Sequence, residues 1–94
     1  MSLKEVRAKI QGIDSRLVGL IAERTNLAKD VLDAKRAEGK SINDDDQVRI
    51  VLDRACSLAT EKNLDTETVK RIFELLIQMS IERQHELSGE GNLP

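Results

Sequence analysis

Residues 3–37 read LKEVRAKIQGIDSRLVGLIAERTNLAKDVLDAKRA, and the spacing of their apolar positions decides the fold. Leu3, Val6, Ile10, Ile13, Leu17, Leu20, Leu27, Val31 and Ala34 recur in alternating steps of three and four, with Arg24 taking one place in the series. On a helix these positions make one continuous stripe that has to be covered by something. Ser2 followed by Glu5 reads as a capping box at its start, and Gly39 as its stop after about Ala37. Gly12 and Gly19 are its weak points, each costing about 1 kcal/mol against alanine. Such a helix is about 50 Å long, more than a small globule needs. Two shorter helices of the same chain cannot cover it, so the pattern predicts dimerisation along it.

Working outward, a second helix is expected from Asn43 or Asp44, with Asp45 and Asp46 complementing its positive end. Its apolar positions are Val48, Val51, Leu52, Ala55, Leu58 and Ala59, and it ends at Lys62-Asn63. Asp65 caps a third helix carrying Val69, Ile72, Phe73, Leu76, Ile77, Ile81 and Leu87. The tail, residues 88–94, reads as frayed. The pattern predicts an all-α chain, a single domain over residues 1–94, with one long helix along which it dimerises and two shorter ones.

Composition agrees and excludes several classes. The chain has 94 residues, 34% charged and 39% hydrophobic, with Phe73 as its single aromatic. Fifteen basic against seventeen acidic residues leave a net charge of -2, without the basic excess or stacking aromatics of a nucleic-acid binder. No apolar run approaches membrane length and no signal-peptide pattern opens the chain, so a cytoplasmic protein is expected. Cys56, among Leu52, Ala55 and Ala59, reads as a buried core thiol.

The candidate chemistry lies in the polar residues that interrupt apolar faces. An arginine cannot shed its proton, so a buried Arg24 needs an anionic partner. Lys35 follows it by 11 residues, on nearly the same face about 16 Å further along. Ser80 and Gln84, four apart, continue the apolar stripe of the third helix. Each has a plain structural reading: Arg24 as a polar residue fixing register, Lys35 as a solvated helix-end lysine, Ser80 and Gln84 as a satisfied core pair. Together they outline a pocket for a small dianion. Arg7 lies 17 residues before Arg24, about 25 Å along the helix, and can join the pocket only from an antiparallel second chain. His85, the single histidine, has no second ligand beside it, and no nucleophile–base arrangement or phosphate-binding loop is present. Any reaction here must rely on positioning and electrostatics, without metal or cofactor.

Val6-Arg7-Ala8-Lys9-Ile10, Ile13-Asp14, Leu20-Ile21-Ala22-Glu23-Arg24, Leu27-Ala28, Ala34-Lys35, Asp44, Leu64-Asp65, Arg71-Ile72-Phe73, Leu76-Ile77, Ser80 and Gln84, in this order and spacing, resemble the all-helical chorismate mutases of the AroQ class. The resemblance implies an intertwined homodimer converting chorismate to prephenate in the branch leading to phenylalanine and tyrosine. It implies that Arg24 and the second chain's Arg7 bind the substrate carboxylates, and that Lys35 and Gln84 contact the ether oxygen. Asp44 would hold the ring hydroxyl through its backbone and Ser80 would assist a carboxylate. The family usually has Arg-Glu where this chain has Gln47-Val48, and that glutamate accepts the ring hydroxyl, which valine cannot do. An apolar residue here also resembles isochorismate-pyruvate lyases and 4-amino-4-deoxychorismate mutases, so these remain alternatives. A helical dimerisation module without catalysis is the alternative from another class.

Overall fold

The structure is a computed structural model that describes residues 1–89. Four helical segments follow one another: α1 Leu3–Asn26, α2 Ala28–Ala37, α3 Asp45–Glu61 and α4 Thr66–Ser88. No strand occurs among the described residues. The long first helix exists but is interrupted at Leu27, where the sequence pattern runs straight through. Leu27 stays right-handed, and its N–H is shared among the last carbonyls of α1, at 3.3 Å from both Glu23 and Arg24. Two residues earlier the Thr25 hydroxyl donates to the Ile21 carbonyl at 2.8 Å, the kind of back-bond that often bends helices.

The caps explain the other boundaries. The Ser2 hydroxyl accepts from the Glu5 N–H at 3.1 Å and donates to the Glu5 carboxylate at 3.0 Å, which is one half of the expected capping box closed through side chains. Asp44, rather than Asn43, caps α3 by accepting from the Gln47 N–H at 3.2 Å. Asp65 caps α4 through the Thr68 N–H and hydroxyl, which together hold its carboxyl below the usual aspartate value. Gly39 (φ 69°) and Asn63 (φ 56°) take the left-handed conformation that ends α2 and α3. Ser88 closes α4 and Gly89 caps it at φ 86°; the rest of the expected tail lies outside the described residues.

α4 is the central element, packing against α3, α2 and α1. The buried core is small: Ala28, Leu32, Ala55, Ala59 and, among them, the polar Gln84. Cys56 is half-buried rather than a core thiol. α1 buries nothing within one chain, and Leu3, Ile10, Leu17 and Leu20 are 51–62% exposed. The molecule measures 53 × 28 × 22 Å with a radius of gyration of 16.6 Å. A compact chain of this length would have about 12 Å. The apolar seam is a projecting arm.

Candidate active site

Between the α1–α2 junction, α3 and α4, a cleft of about 600 Å³, counting its open mouth, is lined by Arg24, Lys35, Asp44, Gln47, Val48, Ser80 and Gln84. Val31, Ile42, Val51, Ile77 and Ile81 form its apolar walls. Seven of the eight residues singled out by sequence therefore converge on one cavity.

Each polar group is aimed by an identifiable partner. Arg24, in the last turn of α1, donates from Nη1 to the Leu76 carbonyl of α4 at 3.0 Å. This neutral oxygen, not a carboxylate, is its partner, and among the described residues Arg24 makes no ion pair. Most of its five N–H donors remain for a ligand. Lys35, near the end of α2, donates to the Gln84 Oε1 at 2.9 Å and to the Ile42 carbonyl. An ammonium has three donors, so one is left. Gln84, 2% exposed, spends its oxygen on Lys35 and one Nε2 hydrogen on the Ser80 hydroxyl at 3.1 Å. Its second amide hydrogen is left. The chain Lys35–Gln84–Ser80 is thus oriented so that two donors from different helices face one cavity.

The electrostatics follow from the same packing. Burial pushes the Lys35 ammonium below its ordinary value, and the neighbouring Asp44 charge partly opposes this. Two half-buried cations share one cleft wall, which favours an anionic ligand. The sign for pH follows. A reaction needing the ammonium is lost as pH rises through a value below that of a free lysine. The alkaline limb of kcat/KM should therefore fall early, and Lys35→Arg, which cannot deprotonate there, should abolish that limb. A limb that persists unchanged in Lys35→Arg would belong to another group.

Two features lay beyond the sequence reading. Ile42 supplies its backbone carbonyl to Lys35 as well as a wall; it is the single apolar residue in the polar stretch 38–46, and that was the available signal. Asn43 Oδ1 meets His85 Nε2 at 3.1 Å, a contact between residues 42 apart that no local pattern announces. Arg7 stands outside the cleft, exposed on α1 beside Leu3, Lys4, Ala8 and Gln11.

A chorismate mutase of Methanocaldococcus jannaschii is 42% identical over 76 residues, covering 81% of this chain and 77% of that protein. The bifunctional chorismate mutase/prephenate dehydratase of Escherichia coli is 35% identical over 85 residues, and that of Enterobacter agglomerans 36%. These alignments cover 90% of this chain but only 22% of each bifunctional protein. With residues 6–85 also matching the family described as chorismate mutase type II, the chain belongs to that family.

Proposed function

We propose that this chain is a chorismate mutase, rearranging chorismate to prephenate. The observation that carries the reading is the Lys35–Gln84 pair, 2.9 Å apart and each with an uncommitted donor, in a cleft whose wall bears Arg24. In the rearrangement one ether C–O bond breaks as one C–C bond forms, within a single molecule and without proton transfer. The protein must fold the substrate into the reactive shape and stabilise negative charge growing on the ether oxygen. Lys35 and Gln84 do the second. Arg24 and Arg7 of the partner subunit do the first by gripping the carboxylates, with Ser80 assisting and the Asp44 backbone holding the ring hydroxyl.

The dimer is part of the proposal. It is supported by the arm of exposed seam residues on α1 and by the distance, about 25 Å along the helix, that keeps Arg7 from its own cleft. Bifunctional relatives whose second activity is prephenate dehydratase support a place in the branch leading to phenylalanine and tyrosine.

The enzyme reading separates from a dimerisation module by ligand binding. A cyclic dicarboxylate should raise the melting temperature of the wild-type chain and leave that of Arg24→Ala unchanged; no shift in either would favour the module.

One observation favours a second reading, a related activity on isochorismate or the amino analogue. Val48, one turn after Asp44, puts an apolar side chain at the cleft where a ring hydroxyl needs an acceptor. For chorismate as substrate, Val48→Glu should raise efficiency roughly tenfold, the scale of one charge-assisted hydrogen bond. Desolvating the new carboxylate costs something, offset by Lys35 and Arg24. A loss of chorismate efficiency, with activity on isochorismate or the amino analogue dominant in the wild type, would favour the second reading.

A further inference from the structure

The loop between α2 and α3 delivers two groups to the cleft, the Ile42 carbonyl and Asp44. Its course is set at the start by the turn at Gly39 and by the Lys40 N–H on the Lys35 carbonyl at 2.7 Å. The Ser41 hydroxyl then donates to the Asn43 carbonyl at 2.8 Å, and Asp44 begins α3. Between these points the loop crosses the last turns of α4, where Asn43 Oδ1 meets His85 Nε2 at 3.1 Å. An amide oxygen only accepts, so Nε2 carries the proton in this contact. His85 directly follows Gln84, and neighbouring helical side chains point about 100° apart. One therefore faces Lys35 in the cleft while the other faces the loop.

Lys35 is held between these two anchors. Of its acceptors, the Gln84 Oε1 is fixed by the helix and by Ser80, whereas the Ile42 carbonyl is only as fixed as the loop. The two together determine where the third ammonium hydrogen points. We propose that Asn43 and His85 are a positioning pair, whose hydrogen bond clamps the α2–α3 loop to α4 and so aims the Lys35 ammonium at the bound substrate. Neither residue touches the reacting atoms. The pair acts on orientation, so its loss lowers turnover and leaves substrate binding largely intact. The proposal rests on the chorismate mutase reading for its kinetic part alone.

The test is a double-mutant cycle on the full chain with chorismate. Asn43→Ala and His85→Ala should each lower kcat about three- to tenfold, the scale of one hydrogen bond, with little change in KM. The double variant should be no slower than either single one, because each removes the same contact. His85→Gln, which keeps a donor at the Nε2 position, should restore most of kcat. Additive losses, unchanged kcat, or His85→Gln as slow as His85→Ala would overturn the pair.

A measurement without substrate guards against loss of fold and against failure of the functional reading. The ring nitrogen resonances of His85 in the wild-type chain should report the Nε2-protonated tautomer. Amide exchange over residues 42–44 should quicken in His85→Ala while α4 keeps its protection. An Nδ1-protonated ring, or unchanged exchange in the loop, would overturn the pair even if chorismate proved not to be the substrate.

Discussion

Lys35→Ala should lower turnover by about 10²–10³ or more, with a smaller rise in KM. That is the scale of removing one preorganised donor from a developing oxyanion. The ammonium is already directed by Gln84 and Ile42 and partly stripped of water, so it has little reorganising to do when charge appears on the ether oxygen. The interaction is stronger in the transition state than with bound substrate, which places the loss in kcat. The substitution also strands the amide oxygen of Gln84, a residue 2% exposed, and a buried orphan of this kind costs about 1–3 kcal/mol of stability. Melting curves should separate that cost from the kinetic one, because a folded variant loses turnover at temperatures well below its transition. Near-normal turnover in Lys35→Ala would make the lysine a structural tie between α2 and α4.

Arg7→Ala and Arg24→Ala should each be nearly inactive alone, yet regain activity when mixed. The expectation follows from the position of Arg7 outside its own cleft, on an arm whose apolar seam is uncovered within one chain. In a heterodimer, the site built around the intact Arg24 receives the intact Arg7, while the other site has neither. Random exchange makes half the dimers mixed, with one good site in each, so roughly a quarter of wild-type activity should return. Co-refolding the two chains and measuring turnover against each alone checks this. No recovery despite exchange of subunits would mean that Arg7 does not act across the interface. A monomer by light scattering would remove the interface itself.

The sequence made some of this legible for physical reasons that can be stated. The seam from Leu3 to Ala34 has a helical period, and the caps at Ser2, Asp44 and Asp65 are local chemistry, so helix existence and most boundaries could be read directly. Lys35 in phase with Arg24, and Ser80 with Gln84, are periodicity arguments too, and the structure brings all four to one cleft. The break at Leu27 was hidden because the apolar pattern continues through it, and the Thr25 hydroxyl bonded to the Ile21 carbonyl beside it is a choice that residue identity does not fix. The Leu76 tie that aims Arg24 was hidden because a main-chain carbonyl leaves no trace in residue identity. The same holds for Ile42, which serves Lys35 through its backbone. Asn43 and His85 meet only because α4 returns alongside the loop, and that is a tertiary fact.

The central claim is that the Arg24–Lys35–Gln84 cleft rearranges chorismate, and identifying products by NMR tests it most directly. Purified protein is incubated separately with chorismate and with isochorismate, beside an Arg24→Ala control. The account predicts prephenate from chorismate with the wild-type chain, little product with the control, and slower or no conversion of isochorismate. Chorismate left unchanged while isochorismate is consumed, or equal prephenate from the Arg24→Ala control, would contradict it.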